Sequence, residues 1–398
     1  MRLRLLTAGE SHGPWQLAVL EGMPAGVPVD PATLQRHMAR RQAGHGRSGR
    51  QRLEQDTVEI QSGVRLGLTT GAPIALAIPN LDHVRWKAAM ATGAPPPGAL
   101  SEEVLARQVR HVRPGHADHA GAVKYGLADV RDVLERASAR ETVARVAAGG
   151  LARFLLEALG IDLTSHVVAL GPVTAAAPAL PADTDLVAAL RAVAEVSPVR
   201  CADPEATRAM IEAIDAAGRA GDSLGGVFEV LATGLPIGLG SHVQWDRRLD
   251  GRLAQAVMSI QAVKGVEIGE AFRQAGLPGS MVHDAFTAGF ERTSNRAGGL
   301  EGGMTNGQPL VVRGAMKPIS TLRRPLMGAR WPDGVPAPAH FERADVCAVP
   351  AAGVVAEAMV SLVLADALLE KCGGDHLAEI KAHLVSTPSV PFSSEVMP

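Results

Sequence analysis

The amino-acid sequence predicts a globular fold that mixes helices and strands, of the α+β or α/β class. Hydrophobic residues make up 46% of the 398 positions, which is enough for a large buried core. Helical and strand-like segments are interspersed along the chain. Their alternation is irregular and there is no internal repeat, so a barrel of eight βα units is disfavoured.

Five segments combine helical periodicity with typical start or stop residues. Asp30-Pro31 is typical of a helix start, Ser138 and Glu141 have the spacing of a capping box, and Gly160 is a typical stop. The predicted helices are Pro31–Arg41, Thr142–Leu159, Pro204–Ala217, Asp246–Val263 and Ala352–Lys371. The predicted strands are Gln16–Leu20, Thr57–Gly63, Ile74–Ile78, His166–Leu170, Gly226–Leu231 and Leu310–Ala315.

Three further segments bear on the organisation of the chain. Arg323–His340 is rich in Pro and Arg and has no periodicity, which predicts a long loop that serves as a mobile lid. The longest apolar stretch, Ala351–Leu369, contains Glu357 and Asp366, so we interpret it as a buried helix and not as a membrane span. Residues 1–385 are expected to form a single domain, followed by a flexible tail over 386–398.

Composition narrows the choice of partners and compartment. With 39 basic and 41 acidic residues the formal net charge is −2, which argues against nucleic acid or an anionic membrane as a partner. Aromatic residues are only 3%, too few for a platform that stacks bases. The three cysteines include no Cys-x-x-Cys pair, and the first residues form no signal peptide. We therefore expect a cytoplasmic protein without disulfides.

The basic residues are unevenly distributed, since 33 of them are Arg and 6 are Lys. Codon usage is one explanation, and bidentate binding of phosphate or carboxylate is the other. Arg36–Arg52 contains six Arg, two His and no acid, which fits either a solvated basic surface or an anion site on a Gly-rich loop. Gly44-x-Gly46-x-x-Gly49 has the spacing of a dinucleotide fingerprint, but it follows a helix, so a Rossmann site is disfavoured.

Two histidine motifs are candidates for chemistry. His12 lies between glycines in Gly9-Glu-Ser-His-Gly13, a loop position that gives it little reason to lie in the core, and which fits either a structural histidine or one with a chemical role. In the second motif His116, Asp118 and His119 could ligate zinc. The corresponding metallo-hydrolase pattern needs another His at position 114, which is Pro114, so a metal is not expected.

Further motifs are suited to anions or to a planar ligand. Arg136 and Arg140 flank Ser138 at a predicted helix N-terminus, which is a favourable place for a phosphate. Glycines are densest over Ala297–Gly307, which turns alone could explain, as could the close approach of backbone to a planar ligand.

Taken together, these motifs resemble the chorismate synthase family. The run comprises GESHG (9–13), RRQAGHGR (40–47), RPGHAD (113–118), KYG (124–126), SARET (138–142), VKGVEIG (263–269), GGMTNGQP (302–309), KPIST (317–321) and RADVCAVPA (343–351). The motifs occur in the family's order and cover nearly the whole chain. Ala137 and His45 depart from the commonest pattern, where a serine and an aromatic residue are frequent.

The resemblance implies a reaction and a fold. The family converts 5-enolpyruvylshikimate 3-phosphate to chorismate by a 1,4-elimination that requires reduced FMN without net redox change. Its fold is a single-domain β-α-β sandwich with a helical core between antiparallel sheets, typically as a homotetramer. No additional module is evident here, so we expect an external flavin reductase or another external reductant.

The resemblance also implies roles for individual residues. It assigns His12 to protonation of the departing phosphate, His116 to protonation of the reduced flavin, and Asp345 to removal of the ring proton together with the flavin. Arg41, Arg47 and Arg140 are expected to bind the substrate or another anion such as NADP. The expected FMN contacts are Arg136, Ala137, Ser138, Gln261, Ala262, Gly302, Lys317, Pro318, Ile319, Ser320, Thr321 and Arg343.

Overall fold

A computed structural model describes residues 3–48, 56–94, 101–178 and 185–386. Its helices are α1 (Pro31–Gln42), α2 (Glu102–Arg107), α3 (Asp118–Tyr125), α4 (Arg131–Ala137), α5 (Thr142–Ala158), α6 (Leu186–Val196), α7 (Pro204–Ala220), α8 (Leu249–Met258), α9 (Ala271–Gln274), α10 (Gly279–Val282), α11 (Val349–Cys372) and α12 (Leu377–Ser386). Short 3₁₀ turns cover Leu81–Arg85, Ala139–Glu141, Trp245–Arg247 and Ala288–Phe290.

Sixteen strands accompany the helices in the described part of the chain. They are β1 (Arg4–Ala8), β2 (Trp15–Glu21), β3 (Glu59–Ile60), β4 (Val64–Arg65), β5 (Leu68–Thr69), β6 (Ile74–Pro79), β7 (His111–Val112), β8 (Asp162–Leu170), β9 (Val173–Thr174), β10 (Gly226–Thr233), β11 (Val263–Ile268), β12 (Leu300–Glu301), β13 (Met304–Thr305), β14 (Leu310–Met316), β15 (Met327–Arg330) and β16 (Pro336–Pro338).

Two antiparallel sheets enclose a helical layer. The first sheet has the order β1-β2-β6-β3, and the second has the order β11-β14-β10-β8-β9. Helix α5 packs on β2 and β6 of the first sheet, and α11 packs on β8 and β10 of the second. The two helices pack on each other in the middle. This confirms the predicted α+β sandwich with its helical core.

Helix α11 is apolar all round because it is surrounded by protein. Its length and its mean hydropathy of 1.9 would allow it to cross a membrane, but 89% of its most apolar window is buried in the fold. A helix without a polar face is typical of such a core position. The interpretation of Ala351–Leu369 as a buried helix is confirmed.

The contact between α5 and α11 requires a residue without a side chain. A Cβ at Gly149 would lie 2.4 Å from Cβ of Ala358, and its other nearest neighbours are backbone atoms of the same residue. Backbone atoms cannot move aside as a flexible side chain can. The two helices therefore approach at van der Waals distance through small residues.

Beside this contact lies a buried carboxylate that holds three arginines. Glu357 of α11 is 3% exposed and pairs with Arg40 (2.7 Å), Arg153 (3.1 Å) and Arg200 (3.3 Å). Burial alone would raise the pKa of Glu357, but Arg40 and the other two arginines outweigh it and hold the pKa well below its usual range. The carboxylate thus stays charged and ties α1, α5 and α11 together.

Most predicted elements are confirmed, with shifts of a few residues at their ends. Three predictions are wrong in detail. Ser138 accepts a hydrogen bond from the Arg140 N–H, and the Glu141 side chain contacts other partners, so no capping box forms. The helix predicted over Asp246–Val263 ends at Met258, because the chain turns and enters β11. Thr57–Gly63 contributes only the two-residue strand β3.

The segment Arg323–His340 is not a structureless loop. It contains β15 and β16, which form a three-stranded sheet with β7. A separate small core of Val109, Ala122, Val130, Val133 and Leu134 lies nearby and packs against Trp331. The pairs between β15 and β7 join residues about 220 positions apart, which no local pattern in 323–340 marks. Residues 387–398 of the expected tail lie outside the described residues, and α12 continues through Ser386.

We predict that Gly149→Ala destabilises the protein by about 1–3 kcal/mol, because the added methyl overpacks the α5–α11 contact. Gly251→Ala is the matched control, since Gly251 also lies in a helix and a Cβ there meets nothing within 4 Å. That control should be neutral or stabilising by up to about 1 kcal/mol. Denaturant unfolding of both variants measures the difference, and equal stabilities would contradict this account of the contact.

Candidate active site

A cavity of about 500 Å³ opens where both core helices begin. Its wall includes Thr142 at the start of α5, and Ala348 and Ala351 at the start of α11. The full lining is Ser11, Arg41, Arg47, Ser48, Arg113, Gly115, His116, Ala117, Leu134, Ala137, Ser138, Ala139, Arg140, Thr142, Ile260, Gln261, Ala262, Met316, Lys317, Ile319, Ser320, Thr321, Glu342, Arg343, Ala344, Asp345, Ala348, Ala351, Ala352 and Val355.

The charge of the lining is strongly positive. Its cationic side chains are Arg41, Arg47, Arg113, Arg140, Lys317 and Arg343, against the carboxylates Glu342 and Asp345. The N-termini of α5 and α11 add partial positive charge from their backbone N–H groups. Such a cavity is suited to a ligand, or a pair of ligands, with several negative charges.

Arg41 and Arg140 share one buried partner behind the cavity wall. Asp56, which is 1% exposed, pairs with Arg41 and lies 3.4 Å from Arg140. The Asp56 carboxylate thus contacts both guanidinium groups from behind the cavity wall. This arrangement places two of the three predicted anion-binding arginines side by side.

Arg47 and Asp345 form an ion pair inside the cavity. Nη1 of Arg47 donates to Oδ2 of Asp345 at 2.6 Å, and the N–H of Ser48 donates to Oδ1 at 2.6 Å. Nε of Arg47 is buried and has no hydrogen-bond partner. The pair thus brings a predicted anion-binding residue against the predicted proton acceptor.

His116 lies on the cavity wall, and its neighbours are fixed. Its Nδ1 is 2.5 Å from Oδ1 of Asp118, which is fully buried. Arg113 donates from Nε to Oδ2 of the same carboxylate at 2.8 Å and from Nη2 to Oδ1 at 2.9 Å. Burial raises the pKa of Asp118, but the hydrogen bonds from Arg113 and His116 outweigh it and hold the pKa below its usual value.

His12 is placed differently from His116. It follows the lining residue Ser11 but is only 3% exposed and does not itself line the cavity. Its Nδ1 lies 2.7 Å from Oε1 of Glu135, and its ring stacks on Trp86 with 3.7 Å between the ring centres. Its backbone N–H donates to the other oxygen of Glu135.

Glu342 connects the surroundings of His12 with the cavity. Arg131 donates to Glu135 at 3.2 Å and to Glu342 at 2.7 Å. Burial raises the pKa of Glu342, but His340 and Arg131 outweigh it and lower the pKa to about 2. Glu342 is therefore ionised at neutral pH.

The cavity has features that suit a planar cofactor with a phosphate. Small residues such as Ala137, Ala139 and Ala262 leave room along one wall. Ala262 has a φ of 68°, a left-handed conformation that is rare for alanine and is held by a hydrogen bond from the Lys317 N–H to its carbonyl oxygen. Oε1 of Gln261 is buried without a partner. These residues fit the expected FMN.

Not every residue predicted for FMN lies on this cavity. Ala137, Ser138, Gln261, Ala262, Lys317, Ile319, Ser320, Thr321 and Arg343 line it. Pro318 lies between two lining residues. Arg136 instead donates to the carbonyl oxygens of Thr7 and Gly9 and so fixes the turn that carries His12. Gly302 lies in the β12–β13 hairpin beside His242 and does not line the cavity.

The arginines of segment 36–52 lie in different parts of the structure. Arg36 is exposed, Arg40 joins the Glu357 cluster, and Arg41 and Arg47 reach the cavity. Arg50 and Arg52 lie outside the described residues, as does Gly49 of the glycine motif. The turn at Gly44 follows α1 directly, which agrees with the expectation that it is not a dinucleotide fingerprint.

The geometry gives little support to a zinc site at His116, Asp118 and His119. Arg113 already occupies both oxygens of Asp118, and His119 is exposed with its ring edge against Trp331. Within the described ranges no group of three or more His, Cys, Asp or Glu side chains could hold a metal ion.

Several residues at the site were not predicted from the sequence as functional. Asp56, Glu135 and Glu342 carry the charges that oppose the cavity arginines and hold His12. Each acts across 15 to 211 positions of sequence, and no local motif marks these contacts. Arg113 and Asp118 belong to a noted motif, but their mutual pairing is visible only in the fold.

Comparison with known proteins identifies the relatives of this chain. A family model described as chorismate synthase matches residues 3–369. The chorismate synthase of Moorella thermoacetica is 56% identical over 388 residues, which cover 96% of this chain and 98% of the relative. The enzyme of that name from Mycobacterium avium is 54% identical over 386 residues, covering 96% and 95%. A crystal structure of a chorismate synthase aligns with a TM-score of 0.75 at 42% identity and covers 97% of each chain.

Proposed function

The chain belongs to the chorismate synthase family, and we propose that the cavity at the start of α5 and α11 is where it carries out that family's reaction. The reaction is a 1,4-elimination that removes phosphate from 5-enolpyruvylshikimate 3-phosphate and gives chorismate, in the shikimate pathway to the aromatic amino acids. The enzyme is accordingly a carbon–oxygen lyase.

The observation that carries this proposal is the convergence of six cationic side chains on one cavity that also holds His116 and Asp345. The substrate has a phosphate and two carboxylates, and the proposed cofactor, reduced FMN, adds another phosphate. When bound, reduced FMN supplies an electron to the substrate transiently and recovers it. The residues that would hold it are the cavity-lining members of the predicted set, above all Ala137, Ser138, Gln261, Ala262 and Lys317.

Residues of the chain itself are proposed to bind the anionic groups and to transfer the protons. Arg41, Arg47 and Arg140 bind and orient the anionic groups, and NADP is a further anion that they could accept. Asp345 accepts the ring proton, and its carboxylate is kept in place by Arg47 and the Ser48 N–H. His116 holds a proton for the flavin at the cavity wall.

His12 is proposed to protonate the departing phosphate. It sits one residue behind the lining residue Ser11, against Glu135 and Trp86. Histidine is suited to such proton donation near neutral pH.

The proposal also covers the oligomeric state, the cellular location and the source of reductant. The family resemblance implies a homotetramer, and the outer face of the first sheet, which exposes Leu6, Trp15, Leu17 and Val19 side by side on β1 and β2, supports an interface there. A cytoplasmic location and an external flavin reductase or other reductant complete the proposal.

Cys201, Cys347 and Cys372 are free and buried, and burial raises the pKa of Cys347 to about 11.

The decisive experiment is an anaerobic assay with 5-enolpyruvylshikimate 3-phosphate and reduced FMN. Release of phosphate together with formation of chorismate is the expected result. Absence of both products from folded protein would overturn the proposal and would favour a non-catalytic anion-binding protein. A metallo-hydrolase would instead lose its activity on chelation of a stoichiometric metal.

We predict that His116→Ala and His12→Ala each lower turnover by roughly 10²–10⁴-fold, the usual range for acid–base groups. His119→Ala is the matched control, because it lies three residues from His116 but faces Trp331. It should keep the wild-type rate. Loss of activity in His119→Ala would support the metal reading, and wild-type rates in the other two variants would contradict their roles.

We predict that Arg47→Ala raises the KM for the substrate by roughly 10- to 100-fold, the equivalent of one lost charge-assisted hydrogen bond. The unpaired carboxylate of Asp345 would also repel the substrate. Arg36→Ala is the control for general loss of positive charge, since Arg36 lies on α1, eleven residues before Arg47, and is exposed. Steady-state kinetics at fixed ionic strength should show no change in KM for that control.

We predict that Leu17→Glu dissociates the tetramer into smaller species, because it places a charge in the middle of the exposed apolar face. Val196→Glu is the control, as Val196 is exposed at the end of α6 and belongs to no such face. Sedimentation velocity measures both. A wild-type monomer, or a Leu17→Glu tetramer, would contradict the proposed interface.

A further inference from the structure

Asp118 and Arg113 both contact the ring of His116, and the shorter contact, to Asp118, indicates where the ring's proton lies; Nη2 of Arg113 is 3.0 Å from Nδ1 and 3.3 Å from Nε2. Nδ1 of His116 lies 2.5 Å from Oδ1 of Asp118. A carboxylate only accepts hydrogen bonds, and a bare imidazole nitrogen also only accepts. Two acceptors at this distance would repel each other, so one of the two atoms must carry a hydrogen.

The hydrogen belongs to His116 and not to Asp118. The carboxylate accepts from Arg113 at three points, namely the backbone N–H (3.0 Å), Nε (2.8 Å) and Nη2 (2.9 Å). These bonds and the adjacent guanidinium hold the pKa of Asp118 below its usual value despite burial. Asp118 therefore stays ionised and accepts from Nδ1–H of the histidine.

Arg113 and the backbone hold this arrangement in place. Nη1 of Arg113 donates to Oγ1 of Thr321 at 3.1 Å, and Nζ of Lys317 donates to the carbonyl oxygen of Gly115 at 3.0 Å. Gly115 has a φ of 75°, which favours glycine and turns the chain between Arg113 and His116. The loop with His116 is thus tied to the segment Lys317–Thr321, which also lines the cavity.

We propose that Asp118 is a positioning residue, which keeps one proton on Nδ1 of His116 so that Nε2 is the atom that exchanges the reaction's proton. In the neutral ring Nε2 is the acceptor, and in the charged ring it is the donor. The proton that moves enters and leaves at Nε2, and the proton at Nδ1 stays on its bond to Asp118. The identity of the reaction rests on the proposed function. The protonation state of the His116 ring does not depend on it.

The first test measures the ring itself in the cofactor-free protein. Solid-state ¹⁵N spectra of histidine-labelled protein distinguish a protonated from a bare ring nitrogen, and His116→Gln identifies the signals of His116 by removing them. We expect Nδ1 to be protonated and Nε2 to be bare in the neutral ring. The opposite tautomer in the wild-type protein would overturn the inference without any further variant.

The second test uses Asp118→Asn, which keeps the size of the side chain and removes its charge. We expect turnover to fall by roughly 10²-fold or more, while the KM for the substrate and the affinity for oxidised FMN change less than about threefold. In the His116→Ala background the same substitution should have almost no further effect, because Asp118 acts through His116. Additive losses would overturn the inference.

Asp129→Asn is the matched control. Asp129 also accepts backbone N–H bonds beside a helix start, from Val109 (2.8 Å) and Arg131 (2.9 Å), but it contacts no histidine. If both variants lose turnover equally, Asp118 is merely structural and the inference fails. If the wild-type protein forms no chorismate, the proposed function fails, and the spectra still decide the tautomer.

Discussion

The close packing of α5 on α11 is the constraint on which the rest of the structure depends. Gly149 and Ala358 let the two backbones approach so closely that a single methyl group would not fit. Away from this contact α5 packs on the first sheet and α11 on the second, and α1 packs on both helices. Glu357, next to Ala358, ties three arginines to this layer, and a buried charge of this kind tolerates no loss of a partner.

The same packing creates the cavity. Because both helices start at one end of the layer, their electropositive N-termini face a common space, which Arg47 and Arg140 reach from neighbouring segments. Several of these cationic side chains are paired with carboxylates. Asp56 pairs with Arg41, Asp345 with Arg47 and Asp118 with Arg113, so carboxylates neutralise part of the positive charge of the lining.

The carboxylates do more than neutralise charge, because each one holds a functional side chain in place. Asp118 fixes His116, Glu135 fixes His12, and Arg47 and Asp345 hold each other. A histidine that donates from Nδ1 to a buried carboxylate cannot rotate without breaking that bond. The enzyme thus obtains a preorganised cavity from pairs of opposite charges whose members come from distant parts of the chain.

The sequence by itself determined the class of fold, the long helices, the central strands and the motifs that mark the family. Periodicity, caps and short motifs are local properties, and local properties can be read without a structure. The sequence did not reveal β15 and β16 or the pairing of Asp56 with Arg41. It also could not show that His116 faces the cavity while His12 lies behind its wall. The pairing of β15 with β7 and the different positions of the two histidines depend on contacts between residues far apart in the chain, and only the folded structure brings those residues together.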